Sequence, residues 1–212
     1  MSLFTKILHF RAFLPGERWW RGPSVTAALL GLVCIPHVTA AQVQQKAPPT
    51  REEILAAARS IIQKARFGTF VTLGEKGEPQ ARIVDPFAPD SSFTVWVATN
   101  ALTRKVSQLR RDGRVTLLWF ESGNPGYVSL DGRAVLVSDP AQKEKHWKEE
   151  WAGFYRDRNH GDDYLLIRVT PVHMEVVSDA NGMISDPKTW RPVMLDFPRA
   201  DPGRFTTRRR NR

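Results

Sequence analysis

The sequence is poor in most of the groups that announce a catalytic centre. It contains a single cysteine, Cys34, which excludes a disulfide or a thiolate metal site built within one chain. Its five histidines offer no pair at a metal-ligand spacing such as i, i+4 on one helix; His146 reads as a packing or surface residue, and His160 sits in the polar stretch "RDRNHGDD". The adjacent carboxylates Glu149-Glu150 and Asp162-Asp163 diverge on a helix and point apart on a strand, so neither makes an acid–base dyad. There is no glycine-rich nucleotide loop, no serine in a nucleophile elbow and no internal repeat. The longest apolar run, Val25–Ile35, has eleven residues, too few to span a bilayer comfortably.

The middle of the chain also lacks surplus charge. Of the formal +9, residues 1–41 carry four basic and one acidic side chains, and residues 198–212 carry six and one. Residues 42–197 hold 21 basic and 20 acidic side chains, so the folded part is close to neutral. A nucleic-acid binder wants a basic folded face, and none is expected here. The arginine-rich end reads as a solvated, disordered tail.

What is present at the N-terminus looks like an export signal. Lys6, Arg11, Arg18 and Arg21 precede the apolar run, Pro36 breaks it, and small residues offer cleavage after Ala40 or Ala41. The expectation is a leader over 1–41, a linker over 42–50, a folded domain over 51–197 and a basic tail over 198–212. Cleavage places the mature protein outside the cytoplasm, in the periplasm, with no stable membrane insertion; a start codon downstream of Met1 leaves it cytoplasmic.

Periodicity changes sharply along the domain. Thr50-Arg51-Glu52-Glu53 is a capping box, and Ile54, Leu55, Ala58, Ile61, Ile62 and Ala65 follow at helical spacing, predicting a helix over 51–66. Strands are predicted at "GTFVTL", "QARIVDP", "SSFTVWVAT", "RVTLLWFE" and "GYVSLDGRAVLVS", the last interrupted at Gly132. A helix from Asp139-Pro140 through Trp147 and Trp151 comes next, then "DYLLIRVTPVHMEVVSD" as a strand pair or one long strand kinked at Pro171. Asn181-Gly182 is a tight-turn signal. About six short strands joined by tight turns favour antiparallel pairing and a closed barrel with peripheral helices, a mainly β fold.

One stretch, "TNALTRKVSQLRRDG", carries a puzzle. Leu102, Val106 and Leu109 mark an apolar helical face, and Asn100 or Thr103 supplies the N-cap. Arg104 and Lys105 then fall in the first turn, where the helix dipole repels cations. Free N–H groups at a helix start attract anions. With the Thr99 and Thr103 hydroxyls, a guanidinium and an ammonium they suit a phosphate; Arg82 reaches the same anion if the second and third strands pair.

In "GTFVTLGEKGEPQARIVDP", "FTVWVATNALTRKVSQLRRDGRVTLLWFE" and "GYVSLDGRAVLVSDP", between about Arg51 and Val177, the chain resembles the pyridoxamine 5'-phosphate oxidase-like flavoproteins. Their general-stress-protein branch is the nearer match. The resemblance implies a split β-barrel that dimerises and binds FMN between subunits. By that resemblance Arg82, Thr103, Arg104 and Lys105 meet the phosphate, Ile83 and Val84 line the flavin ring, and Ala98 and Thr99 flank it. Tyr127 stands where the oxidases carry a glutamine facing the ring. The oxidases' Arg-x-His-Asp-Arg substrate motif is missing, and Val177 replaces an aromatic, so pyridoxamine phosphate oxidation is not expected. The implied protein is a homodimeric flavin-dependent oxidoreductase of a small molecule. The alternative is a non-catalytic binder or sensor of flavin, deazaflavin or haem, with His173 as the residue to watch for haem.

Overall fold

The chain begins its ordered path by satisfying its own backbone. In the computed structural model, which describes residues 47–123 and 126–198, helix α1 (Arg51–Ala65) opens on a reciprocal capping box. The Thr50 N–H donates to Glu53 Oε2 at 2.7 Å, and the Glu53 N–H donates to Thr50 Oγ1 at 3.3 Å. Ile54, Ala57, Ala58, Ile61 and Ile62 form its buried face. Thr50→Ala removes the cap; we expect a loss of about 1 kcal/mol, a fall in Tm of about 2–4 °C in a thermal melt followed by circular dichroism. The leader, most of the linker and the basic tail expected from the sequence lie outside the described residues.

Seven strands follow: β1 (Gly68–Leu73), β2 (Pro79–Val84), β3 (Val95–Asn100), β4 (Arg114–Glu121), β5 (Gly126–Val137), β6 (Tyr164–Ser178) and β7 (Val193–Asp196). Helix α2 (Arg104–Arg111) links β3 to β4, and α3 (Pro140–Lys145) follows β5. All pairings are antiparallel, in the order β2-β1-β4-β5-β6-β3, with β7 also on β6. The mainly β, antiparallel architecture with peripheral helices is the one the tight turns indicate. Two details differ from expectation. The sheet is open rather than closed, with β2 and β3 at opposite ends of the order, and it has a seventh strand.

Side chains alternate across the sheet as the two-residue period requires. Phe70, Leu117, Trp119, Val128, Leu130, Met174 and Val176 point into the core and are fully buried. They pack with the buried face of α1 in one cluster. The sequence leaves open whether residues 163–179 form two strands or one; they form one. The register shifts between Asp131 and Gly132, so that Asp131 faces His173 while Gly132 faces Pro171. Glycine is required at this shift, because a Cβ on Gly132 would lie 2.6 Å from Val169 Cγ1 and 2.8 Å from the Thr170 carbonyl.

The segment between α3 and β6 departs from expectation too. The helix stops at Lys145 rather than continuing to Trp151, because His146 leaves helical geometry. A single turn of 3-10 helix at Glu149–Trp151 takes over. Rings hold the segment in place: His146 stacks on Trp96 at 4.3 Å, and Trp147, Tyr155 and Tyr164 meet edge to face. Buried Lys143 donates to the Gly161 carbonyl at 2.7 Å, and the Tyr164 hydroxyl donates to the His146 carbonyl. His146 is thus a packing residue, and burial pushes its pKa down. At the other end of β6, the Asn181-Gly182 signal is a real turn, with Gly182 at φ 63°.

Candidate functional site

Helix α2 starts where β3 ends, and its first turn is unusual. Thr103 is the N-cap residue but gives no side-chain cap, and the first turn holds no acidic residue. The Thr103 hydroxyl instead donates to the Asn100 carbonyl at 2.9 Å and lies 3.1 Å from Thr99 Oγ1. The other expected cap, Asn100, spends its side chain on the Leu102 N–H at 2.9 Å. The Arg104 and Lys105 N–H groups, at the first two positions of α2, are therefore left for something outside the helix.

Three cations gather there. Lys105 is half-buried and 3.3 Å from Thr103 Oγ1. Desolvation and then the charge of Arg82 hold its pKa below the usual lysine value. Desolvation and Arg104 lower that of Arg82 in the same way. Among the described residues none of the three is in an ion pair. Like charges held together without a counter-ion cost free energy that an incoming anion returns.

Arg82 is fixed by a relay the sequence did not announce. Strands β2 and β3 do not pair; β2 pairs with β1. The guanidinium reaches α2 through buried polar groups instead. Its Nη1 donates to Thr72 Oγ1 at 2.6 Å and to the Phe70 carbonyl at 3.2 Å, and its Nη2 donates to Gln108 Oε1 at 3.1 Å. The Thr72 hydroxyl also donates to Gln108 Oε1, and Gln108 Nε2 donates to Gln80 Oε1 at 2.7 Å. Every polar atom of Gln108 is used, so Arg82 is held in one pose.

A cleft of about 430 Å³ opens beside Lys105; Arg82 is not among the residues that line it. Ile83, Val84, Ala98, Thr99, Thr103 and Lys105 line it, six of the nine residues singled out from the sequence. Arg104 is exposed and lines a different hollow, with Glu75, Glu78, Gln80 and Arg111. Tyr127 does not line the cleft. It lies on β5 opposite Phe120 and Val177, three strand spacings from β2, roughly 14 Å.

The cleft also takes residues that no local pattern marked. Asp85, Asn100, Trp151, Phe154 and Tyr155 complete its wall. Phe154, in that wall, is 78% exposed. Asp85 Oδ2 lies 3.0 Å from Lys148 Nζ, while its Oδ1 is buried with no hydrogen-bond partner among the described residues. The closeness of Trp151–Tyr155 to Ile83 depends on the fold of the α3–β6 segment.

The family profile of pyridoxamine 5'-phosphate oxidase matches residues 54–178, well over half of the chain. The chain belongs to the pyridoxamine 5'-phosphate oxidase family. Solved structures agree on the fold. General stress protein 26 from Bacillus anthracis str. Sterne superposes with a TM-score of 0.53 at 22% identity, over 69% of this chain and 97% of that one. A protein from Clostridium acetobutylicum, related to general stress protein 26 of B. subtilis, gives 0.58 at 18% identity, over 69% and 96%. A general stress protein 26 from Jannaschia sp. CCS1 gives 0.52 at 17% identity, over 61% and 80%. No curated protein matches the chain. Members of the pyridoxamine 5'-phosphate oxidase family commonly bind flavin such as FMN.

Among the described residues no group of histidine, cysteine and carboxylate side chains is placed to hold a metal ion. His173 Nδ1 lies 2.7 Å from Asp196 Oδ1. No described helix is long and apolar enough to cross a membrane.

Proposed function

We propose that this protein binds FMN in the cleft at the start of α2 and acts as a flavin-dependent oxidoreductase of a small molecule. The observation that carries the reading is the trio Arg82, Arg104 and Lys105, gathered without a counter-ion around an uncapped helix start. FMN fits this donor set: its phosphate would meet the Arg104 and Lys105 N–H groups, the Lys105 ammonium and the guanidinium fixed by Gln108. The Thr99 and Thr103 hydroxyls add donors beside it. Ile83, Val84 and Ala98 give that part of the cleft an apolar lining for the isoalloxazine. Haem also carries anionic groups, its propionates, but no histidine lines the cleft to ligate its iron.

When bound, FMN supplies the redox chemistry, accepting or giving one or two electrons. The chain supplies phosphate anchoring, ring orientation and exclusion of water. A reductant other than cytoplasmic nicotinamide is required if the leader exports the protein.

A second copy of the chain completes the site in this reading. The outer face of the sheet carries a row set by the register: Ile83, Thr69, Leu118, Ser129, Glu175 and Met194. Ile83 is 68% exposed, Leu118 38%, Met194 49%, and Phe120 in the next row 62%. These apolar side chains, set among Thr69, Ser129 and Glu175 on one exposed sheet face, suit a two-fold contact. It would bring Tyr127 of one copy towards the cleft of the other. Burial and Glu175 hold the Tyr127 hydroxyl protonated, its pKa above the usual value, so it acts as a hydrogen-bond donor.

The test is an absorption spectrum of the purified full-length protein, with mass spectrometry of the ligand released on denaturation. Flavin bands and the mass of FMN are expected. A deazaflavin mass would change the cofactor but keep the cradle. A colourless protein that also fails to bind added FMN would overturn the reading.

A further inference from the structure

A second hollow meets the first at Asp85, which lines both. It is a recess of about 420 Å³ between α1 and the loop after β2. Arg59, Ile62, Gln63 and Arg66 reach it from one face of α1 and its C-cap, at the three-, four- and seven-residue spacing that brings helical side chains into line. Pro86, Phe87 and Pro89 supply an apolar wall, and Lys148 closes the far side.

The charges there are unevenly satisfied. Arg59 is committed to the Pro89 and Asp90 carbonyls, at 2.6 and 2.5 Å. Lys148 Nζ and Arg66 Nη2 both lean on one oxygen, Asp85 Oδ2, at 3.0 and 3.8 Å. Arg66 also lies 3.5 Å from Glu150. The other oxygen, Oδ1, is buried and receives no donor from the described residues. A carboxylate oxygen can only accept, so burying it unmet is costly unless a donor arrives. An ammonium has three N–H donors, and Lys148 Nζ otherwise faces the rings of Trp151 and Phe87 at 4.8 and 5.0 Å.

The recess thus sets an acceptor lacking a donor beside a cation with donors to spare. A ligand that answers both carries an anionic group and a hydrogen-bond donor on adjacent atoms. The surplus of cations disfavours an ammonium as that donor and favours a neutral one, of which a hydroxyl on the carbon beside the carboxylate is the smallest. We propose that this recess binds small 2-hydroxy carboxylates with an apolar side chain. The carboxylate meets Lys148 and Arg66, the hydroxyl donates to Asp85 Oδ1, and the side chain lies against Ile62 and Phe87. That this ligand is the substrate of a bound flavin rests on the proposed function; the chemistry of the recess does not.

The experiment titrates the full-length protein with mandelate, phenylacetate and benzyl alcohol by calorimetry. Phenylacetate lacks the hydroxyl, and benzyl alcohol lacks the carboxylate. Mandelate is expected to bind at least about tenfold more tightly than either, the worth of one hydrogen bond to a charged group. Lys148→Met should weaken mandelate by about tenfold or more, and Asp85→Asn should shrink its advantage over phenylacetate to less than about threefold. Arg104→Ala with Lys105→Ala should leave mandelate binding unchanged while FMN binding falls. Equal affinity for mandelate and phenylacetate, or indifference to Lys148→Met in a variant with a native circular dichroism spectrum, overturns the proposal. Absence of mandelate binding in a protein that still takes up FMN overturns the recess and leaves the flavin reading standing. Mandelate binding without FMN binding does the reverse.

Discussion

Arg104→Ala combined with Lys105→Ala is expected to weaken FMN binding about a hundredfold, measured by quenching of flavin fluorescence, while the circular dichroism spectrum stays native. A hydrogen bond to a charged group contributes about 1.5–3 kcal/mol. Lys105, half-buried beside the cleft, should contribute most of the effect, whereas exposed Arg104 is discounted for screening by solvent and salt. Together they come to about 3 kcal/mol, which is the hundredfold. The apoprotein should not lose stability, since the substitutions relieve repulsion with Arg82. The pH dependence has a definite sign. Lys105 has a lowered pKa, so its charge, and with it the affinity, is fully present below that pKa and is lost as pH rises through it. Unchanged FMN affinity in the double variant would remove the phosphate from α2.

Leu118→Lys with Phe120→Lys is expected to convert the proposed dimer into a folded monomer in analytical ultracentrifugation. Both side chains lie on the outer face, Leu118 38% and Phe120 62% exposed, so the substitutions spare the core. Burying a large apolar side chain contributes about 1.5–3 kcal/mol, and in a two-fold contact each loss is counted twice. Like charges facing one another across the axis add to that. Flavin affinity should fall with the dimer, because Tyr127 is too far along the sheet to reach the cleft of its own chain. A variant that stays dimeric would place the contact on another face.

Local signals carried much of the fold. The capping box at Thr50 and the alternation in "GTFVTL" and "RVTLLWFE" place α1, β1 and β4 within a residue of where they lie, because these elements are decided by their own residues. The helical pattern in the sequence runs past the end of α3, since Trp147 and Trp151 have the spacing of one helical face. In the structure that spacing serves an edge-to-face ring contact across a broken helix. Strand β7 was missed: "VMLD" is four residues long, and only its partner, residues 173–176 of β6, defines it.

The site divides along the same line. Thr103, Arg104 and Lys105 belong to one helix start, so their meeting is legible in the chain. Arg82 approaches them through Thr72 and Gln108 and not through pairing of β2 with β3, a route that depends on β1 lying between β2 and β4. Asp85, Trp151, Phe154 and Tyr155 come together only through packing of the α3–β6 segment, and nothing in their spacing foretells it.

The offset between Asp131 and Gly132 has one more implication. Upstream of it, Val169 and Pro171 of β6 turn inward; downstream, Met174 and Val176 do, so the odd and even positions have traded places. The strand therefore counts its residues in two separate frames. Losing or gaining one residue at the seam would evert everything from Met174 to Ser178, whereas a change of two would keep the same faces inward while sliding each side chain to a new core position.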